Sequence, residues 1–219
     1  MKRPQVTLKL ATSLDGRIAT GAGESRWITG EAARAEVQKL RAAHDAVMIG
    51  AGTARADDPS LLARTEPLPA RQPKRVVLSK NFDVPTSGRL FDNLEESSLI
   101  ILGAGPGAAS ARTAKAGAQI GHIINEGPVD VSLALHSLLT EWQVQSVLCE
   151  GGGQLAASLI VADVVDRLEW FRAPMVLGEE GRSAVAALAL SSLAAAPRFR
   201  RVALRELGPD IWESYERVS

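Results

Sequence analysis

The chain has 219 residues, 46% of them apolar and 23% charged, and its 25 basic and 25 acidic side chains cancel to a formal net charge of zero. These are ordinary globular values, enough for one large domain with a sizeable core. The neutral balance argues against a nucleic-acid binder that works by neutralising phosphates, and a single cysteine, Cys149, excludes an intramolecular disulfide framework or a thiolate zinc site within one chain.

The N-terminus, MKRPQVTLKL, enters a strand-like run almost at once and lacks the apolar core of a secretory leader. No stretch approaches the roughly 18 uninterrupted apolar residues of a membrane span. The expectation is a soluble, reduced, cytoplasmic protein.

In chain order, Val6–Ala11 alternates like a strand. Gly30–His44 carries Ala33, Val37 and Leu40 at helical spacing, with Thr29 placed to cap it. Asp45–Gly50, Arg75–Ser79, Ser98–Leu102 and Gly121–Asn125 read as buried strands, and the proline-dense Arg64–Arg75 reads as a long surface loop. An amphipathic helix over Val131–Trp142 precedes a strand at Ser146–Glu150, a glycine turn feeding a helix over Gly151–Asp163, and a strand at Arg167–Pro174. The alanine-rich Ser183–Pro197 reads as a short helix or packed loop, and the tail alternates like an antiparallel hairpin. Strands interleaved with helices predict an α/β fold, a mostly parallel sheet flanked by helices with antiparallel C-terminal strands. No linker divides the chain, so residues 1–219 read as a single domain.

Two glycine turns compete for a dinucleotide. Gly103–Ala108 satisfies G-x-G-x-x-A after an apolar strand, with Glu126 about twenty residues on. Pro106 sits inside that turn, however, and several strands precede it, so it reads as a mobile surface loop. The second turn, VLCEGGGQLAASL, runs from a buried strand through Glu150 into Gly151, Gly152, Gly153 and a helix. Glycines admit a ligand close to the backbone, and a helix start offers free N–H groups and a positive dipole end to a phosphate. Glu150, at the C-terminal edge of its strand, stands where open α/β sheets bind ligands.

The segments LKLATSLDGRIATGAGESRWITG, MIGAGTARADDPSLLAR, RVVLS and CEGGGQLAASLI, in this order, resemble the riboflavin-biosynthesis pyrimidine reductases, from about Gln5 to Tyr215. That resemblance implies a dihydrofolate-reductase-like fold, a homodimer and NADPH-dependent reduction of 5-amino-6-(5-phosphoribosylamino)uracil, or of the diamino pyrimidine analogue, to the ribityl form. In bacteria the family forms the C-terminal half of a bifunctional deaminase/reductase, and the deaminase's zinc signature is missing from this chain.

Carried over residue by residue, the resemblance assigns substrate binding to Ser25, Arg41, Leu61, Arg64 and Glu150. It assigns NADPH binding to Ala11, Trp27, Thr53, Asp57, Ser79 and the turn Gly152, Gly153, Gln154, Leu155, Ala156, Ala157 and Ser158. Asp57 and Glu150 are the catalytic candidates, no metal is implied, and no proton donor is singled out. The chemistry is consistent position by position. Arginine forks suit a sugar phosphate, and a hydroxyl at Ser79 beside Lys74, Arg75 and Lys80 suits the extra phosphate of NADPH. Asp58, before Pro59, reads as structural; His44, His122 and His136 as a helix end, a strand start and a helix face; Cys149 as a buried, inert thiol; and the arginines at 198, 200, 201 and 205 as a solvated strand face or dimer rim. The acids of Glu179–Val185 and the loop holding Gly105 depart from the family pattern. Two alternatives stay open: a reductase of the same fold acting on a pterin or dihydrofolate, and a binding subunit without turnover.

Overall fold

Runs of consecutive apolar residues become strands buried on both faces. The computed structural model describes residues 1–104, 107–123 and 129–218. Its elements begin with β1 (Gln5–Thr12), β2 (Arg17–Ala19), α1 (Glu31–Ala42), β3 (Ala46–Gly50), α2 (Ala51–Asp57), β4 (Lys74–Leu78), β5 (Leu99–Gly103) and α3 (Gly107–Lys115). They continue with β6 (Gln119–His122), α4 (Val131–Trp142), β7 (Ser146–Cys149), α5 (Gly153–Val161), β8 (Arg167–Arg172), β9 (Arg182–Ser183), β10 (Phe199–Leu207) and β11 (Asp210–Arg217). These elements fall into two compact units, Met1–Gln5 with Gln38–Gly151, and Val6–Val37 with Gly152–Ser219.

In the first unit β7, β3, β4, β5 and β6 pair in that order, every pairing parallel. Alternate residues Val47, Ile49, Val77, Leu99 and Ile101 pack one face with Ala54, Leu61, Phe82 and Leu90, while Met48, Val76, Ile100 and Leu102 are buried on the other. Burial on both faces is why these strands read as continuous apolar runs rather than alternating ones. Each such Leu or Ile contributes about 2 kcal/mol relative to exposure. The α4 helix starts where Asp130 accepts hydrogen bonds from the N–H groups of Ser132 (2.8 Å) and Leu133 (3.1 Å), and ends at Gln143 in the left-handed region.

Among the described residues of this unit one charged side chain, Arg75, is wholly buried. The Arg75 guanidinium donates to the carbonyls of Leu90 (2.8 Å), Asp92 (2.8 Å), Asn93 (3.3 Å) and Ser97, so the segment after β4 is wrapped around it. Its Nε is buried without a partner among the described residues, and burial pushes its pKa below the ordinary value.

In the second unit β1 is parallel to β8, β8 antiparallel to β11, and β11 antiparallel to β10. Phe171 and Trp212 stack at 5.2 Å, and the buried Glu169 accepts from Trp212 Nε1 (2.6 Å) and Ser214 Oγ (2.5 Å). Glu213, also buried, takes Arg172 (2.7 Å), Arg201 (3.5 Å) and the Tyr215 hydroxyl (2.9 Å). Arg200 pairs with Glu216, and Arg205 lies over the Trp212 ring at 5.0 Å. Those β10 arginines are engaged by β11. The architecture is α/β with mostly parallel strands and antiparallel strands at the C-terminus.

Several boundaries differ from expectation. The first helix starts at Glu31, so Thr29 lies one residue ahead of the cap position, and the Gly30 N–H is held by Asp210 Oδ2 at 2.6 Å. Gly50 leads straight into α2, a helix that the sequence pattern does not announce. Helix α3 begins at Gly107, inside the Gly103–Ala108 pattern; Gly105, Pro106 and Glu126 lie outside the described residues. Between β9 and β10 the chain is irregular apart from a single 3₁₀ turn at Leu193–Ala195.

Candidate active site

In the first unit the C-terminal ends of β3, β4 and β7 and the segments after them carry six of the candidate residues, and the end of α1 carries a seventh, Arg41. The central feature is an ion pair: Arg41, at the end of α1, donates from Nε to Glu150 Oε1 at 2.6 Å and from Nη2 to Oε2 at 3.0 Å. Its Nη1 donates to the Leu62 carbonyl at 3.1 Å. The two side chains are only 12% and 9% exposed, so the pair is largely desolvated. Burial works against the Arg41 charge, yet the adjoining Glu150 carboxylate holds its pKa above the ordinary value. Glu150 is itself fixed through its backbone, whose N–H donates to Met48 O at 3.0 Å, continuing the β3–β7 ladder.

The segment bearing Arg64 is clamped along its backbone. Gln38, one turn before Arg41 on α1, accepts from the Arg64 N–H at 2.9 Å. Gln72 brackets Ala63, accepting from its N–H and donating to its carbonyl, both at 2.9 Å. The Arg64 guanidinium is left exposed and unpaired among the described residues. Leu61 is 2% exposed and belongs to the core, so any ligand contact from it runs through its backbone.

Thr53 and Asp57 lie one turn apart on α2, hence on the same face. Asp58 adopts a left-handed conformation (φ 39°) and accepts from the N–H groups of Arg89 (3.0 Å) and Leu90 (3.2 Å). Arg89 Nη2 returns to the Asp57 carbonyl at 3.0 Å. Gly88 has φ +99°, and a Cβ there would meet Asp58 Oδ1 at 2.6 Å, so only glycine fits the turn. Asp58 thus ties the end of α2 to residues 88–90. Ser79 is buried; its N–H donates to Leu102 O at 2.9 Å, and its carbonyl lies 2.1 Å from where a Cβ of Gly103 would stand. The first glycine of the G-x-G-x-x-A pattern therefore has a packing reason. Cys149, beside Glu150, is fully buried, and burial pushes its thiol up to about 12.

The second unit carries Ala11, Ser25, Trp27 and the glycine turn. Ala11, in β1, is half-buried, as is Ser25. Trp27 is 66% exposed, with the Arg34 guanidinium 4.6 Å from its ring centroid. Gly152 caps α5 in an extended conformation without any side-chain hydrogen bond, so the first-turn N–H groups have no side-chain cap. A Cβ on Gly153 would stand 2.4 Å from the Ser183 carbonyl, and the Gly153 carbonyl accepts from Ala186 N–H at 2.9 Å. Leu155, Ala156 and Ala157 are buried, whereas Gln154 and Ser158 are exposed and joined by a hydrogen bond from Ser158 Oγ to Gln154 O at 3.0 Å. A bare, positively polarised helix start beside glycines fits a nucleotide phosphate.

Sequence reasoning did not single out Asp15. Its carboxylate accepts from Ser13 Oγ (2.5 Å), Leu177 N–H (3.1 Å) and Gly178 N–H (2.8 Å), and the Ser13 bond chiefly, then these backbone bonds, lowers its pKa to about 2. Arg17 Nη1, two residues on, binds Gly181 O and Ser183 Oγ, fixing the loop that faces Gly153. The Asp15-Gly16 pair was the available signal, since such dipeptides mark turns. Gln38 and Gln72 gave none, because their partners are distant backbone groups; Arg75, read beside Ser79 as suiting a phosphate, is instead buried and spent on the carbonyls of Leu90, Asp92, Asn93 and Ser97. No three His, Cys, Asp or Glu side chains among the described residues could hold a metal, and none of the described helices is long and apolar enough to cross a membrane.

Residues 4–212 match the family described as the RibD C-terminal domain. The chain is 33% identical over 210 residues to the riboflavin biosynthesis protein RibD of Bacillus amyloliquefaciens, covering 95% of this chain and 56% of that protein. It therefore spans little more than half the length of this curated relative. Among solved structures, Acinetobacter baumannii RibD superposes with a TM-score of 0.85 at 31% identity, over 99% of this chain and 58% of that one. A dihydrofolate reductase from Enterococcus faecalis, complexed with NADP(H), superposes at 0.54 over 98% of this chain and 97% of its own, and at 14% identity this likeness speaks to fold alone.

Proposed function

Because the chain belongs to the RibD C-terminal domain family, we propose that it is an NADPH-dependent reductase of riboflavin biosynthesis. Its substrate is 5-amino-6-(5-phosphoribosylamino)uracil or the 2,5-diamino pyrimidine analogue, whose ribose becomes a ribityl chain. The reading extends to a single reductase domain acting as a cytoplasmic homodimer. The observation that carries it is the desolvated Arg41–Glu150 pair at the C-terminal edge of a parallel sheet, with Arg64 held nearby in sequence on a clamped segment.

Each role follows from a side chain's situation. Arg64, exposed and unpaired, offers a planar fork to the sugar phosphate, with Ser25 adding a hydroxyl. Glu150, fixed in direction by Arg41, accepts hydrogen bonds from the amino groups of the pyrimidine or the sugar hydroxyls. Asp57 orients the sugar, and Trp27 covers the nicotinamide. The uncapped start of α5 and glycines 152 and 153 hold the pyrophosphate, with Ala11, Thr53, Ser79 and residues 154–158 completing the cofactor contacts. NADPH, when bound, supplies a hydride. The substrate opens to an imine between ribose C1 and the exocyclic nitrogen; C1 gains the hydride and nitrogen gains a proton from water. The protein's part is alignment of the reacting carbons, which supplies much of the acceleration.

The test is oxidation of NADPH, followed by absorbance, with the phosphoribosylamino-pyrimidine and with dihydrofolate in parallel. Turnover of the first alone is expected. Turnover of dihydrofolate alone would establish the rival substrate, and NADPH binding without turnover of either would favour a binding subunit.

A further inference from the structure

Arg41 and Glu150 were assigned to substrate separately, yet the structure makes them one object. Three of the five N–H bonds of Arg41 are spent inside the protein, two on Glu150 and one on the Leu62 carbonyl. An arginine so committed has its charge neutralised by a carboxylate within 3.0 Å. Its pull on a phosphate dianion is correspondingly weaker than that of Arg64, which is exposed with no acid paired to it among the described residues. The carboxylate gains what the phosphate loses. A bidentate fork fixes the plane of the Glu150 carboxylate, and the Leu62 anchor stops the guanidinium from turning away.

Resting on the reductase reading above, we propose that Arg41 is a positioning residue that acts on the reaction through Glu150. It holds that carboxylate as an oriented hydrogen-bond acceptor for the nitrogen and hydroxyl donors of the substrate. The division of labour is then explicit: Arg64 answers to the phosphate, and Arg41 answers to Glu150. The same arrangement couples the 61–64 segment to the site, because the Leu62 carbonyl and the Glu150 carboxylate share one guanidinium.

A double-mutant cycle decides it. With NADPH saturating, kcat/KM is measured for the wild type, Arg41→Gln, Glu150→Gln and the double variant. Two substrates are used, the phosphorylated compound and the same compound without its phosphate, at a temperature below each variant's melting transition. Arg41→Gln is expected to lose about a hundredfold on both substrates, the scale on which removing one partner of a buried charge pair acts. In the Glu150→Gln background it should change kcat/KM by less than about twofold, within the scatter of independent sites. A loss confined to the phosphorylated substrate, or the same loss with and without the Glu150 carboxylate, would overturn the proposal. If the wild type turns over neither compound, it is the reductase reading that falls. The cycle is then read by calorimetry as binding of the phosphorylated compound, where additive losses reject the coupling and non-additive losses sustain it.

Discussion

At the end of β7 the chain passes from Glu150, a carboxylate locked to Arg41 by two hydrogen bonds, to Gly152 and Gly153, which offer no side chain at all. Both places are candidate ligand contacts, and they work by opposite means. Around Glu150 a fixed charge is held in low dielectric, so what it offers is electrostatic and directional. Around Gly153 the Ser183 carbonyl stands 2.4 Å from where a Cβ would be, so the packing there depends on the absence of a side chain. The first place is sensitive to a charge removed, the second to an atom added.

That contrast can be broken or sharpened by substitution. The largest effect is expected at Arg41→Met, which leaves Glu150 charged and half of a desolvated pair; thermal or denaturant unfolding should show a loss of roughly 3 kcal/mol. Equal stability of variant and wild type would mean that water screens the pair. Next comes Gly153→Ala, where the added methyl meets the Ser183 carbonyl. A cost of about 2 kcal/mol is expected, with weakened NADPH binding in fluorescence titration. Unchanged affinity would remove the turn from the cofactor site. Arg64→Gln should leave stability alone and raise KM by about tenfold, worth about 1.4 kcal/mol of binding; an unchanged KM would move the phosphate elsewhere. The smallest effect is at Asp15. Its folded pKa is lowered to about 2 from an ordinary 3.8, so its stabilisation is complete above about pH 4 and is lost as pH falls toward 2. Amide exchange at Leu177 and Gly178 should differ between wild type and Asp15→Asn at pH 5 and converge near pH 2; no difference at pH 5 would remove Asp15 as the loop's anchor.

How far the sequence was legible follows from what kind of signal each feature leaves. The strands of the first unit announce themselves because burial on two faces demands apolar runs, and Val131–Trp142 matches its helix to the residue. Helix α2 escaped because Gly50 and Gly52 suggest a turn, and only packing of Ala54 reveals the helix. The three-residue β2 and two-residue β9 are too short to show a period. At the site, Arg41, Arg64 and Glu150 were legible as single residues, but the Arg41–Glu150 bond joins positions 109 apart and follows from no local pattern. Leu61 was assigned as a contact by resemblance alone, and its place in the core was illegible, since its burial depends on Phe82 and Leu90 arriving from a later segment. The Arg75 cage is the extreme case: a cation between apolar neighbours looks like the edge of a strand, and only the carbonyls of residues 90–97 make its interior position tenable.

Cys149 sits beneath all of this as the chain's sole thiol, sealed from solvent and held protonated. The folded protein is therefore silent toward maleimides and disulfide reagents, and labelling waits on opening of the β3–β7 region. Its reaction rate under native conditions becomes a clock for that opening. A cysteine introduced at any surface position would carry the only dye on the molecule.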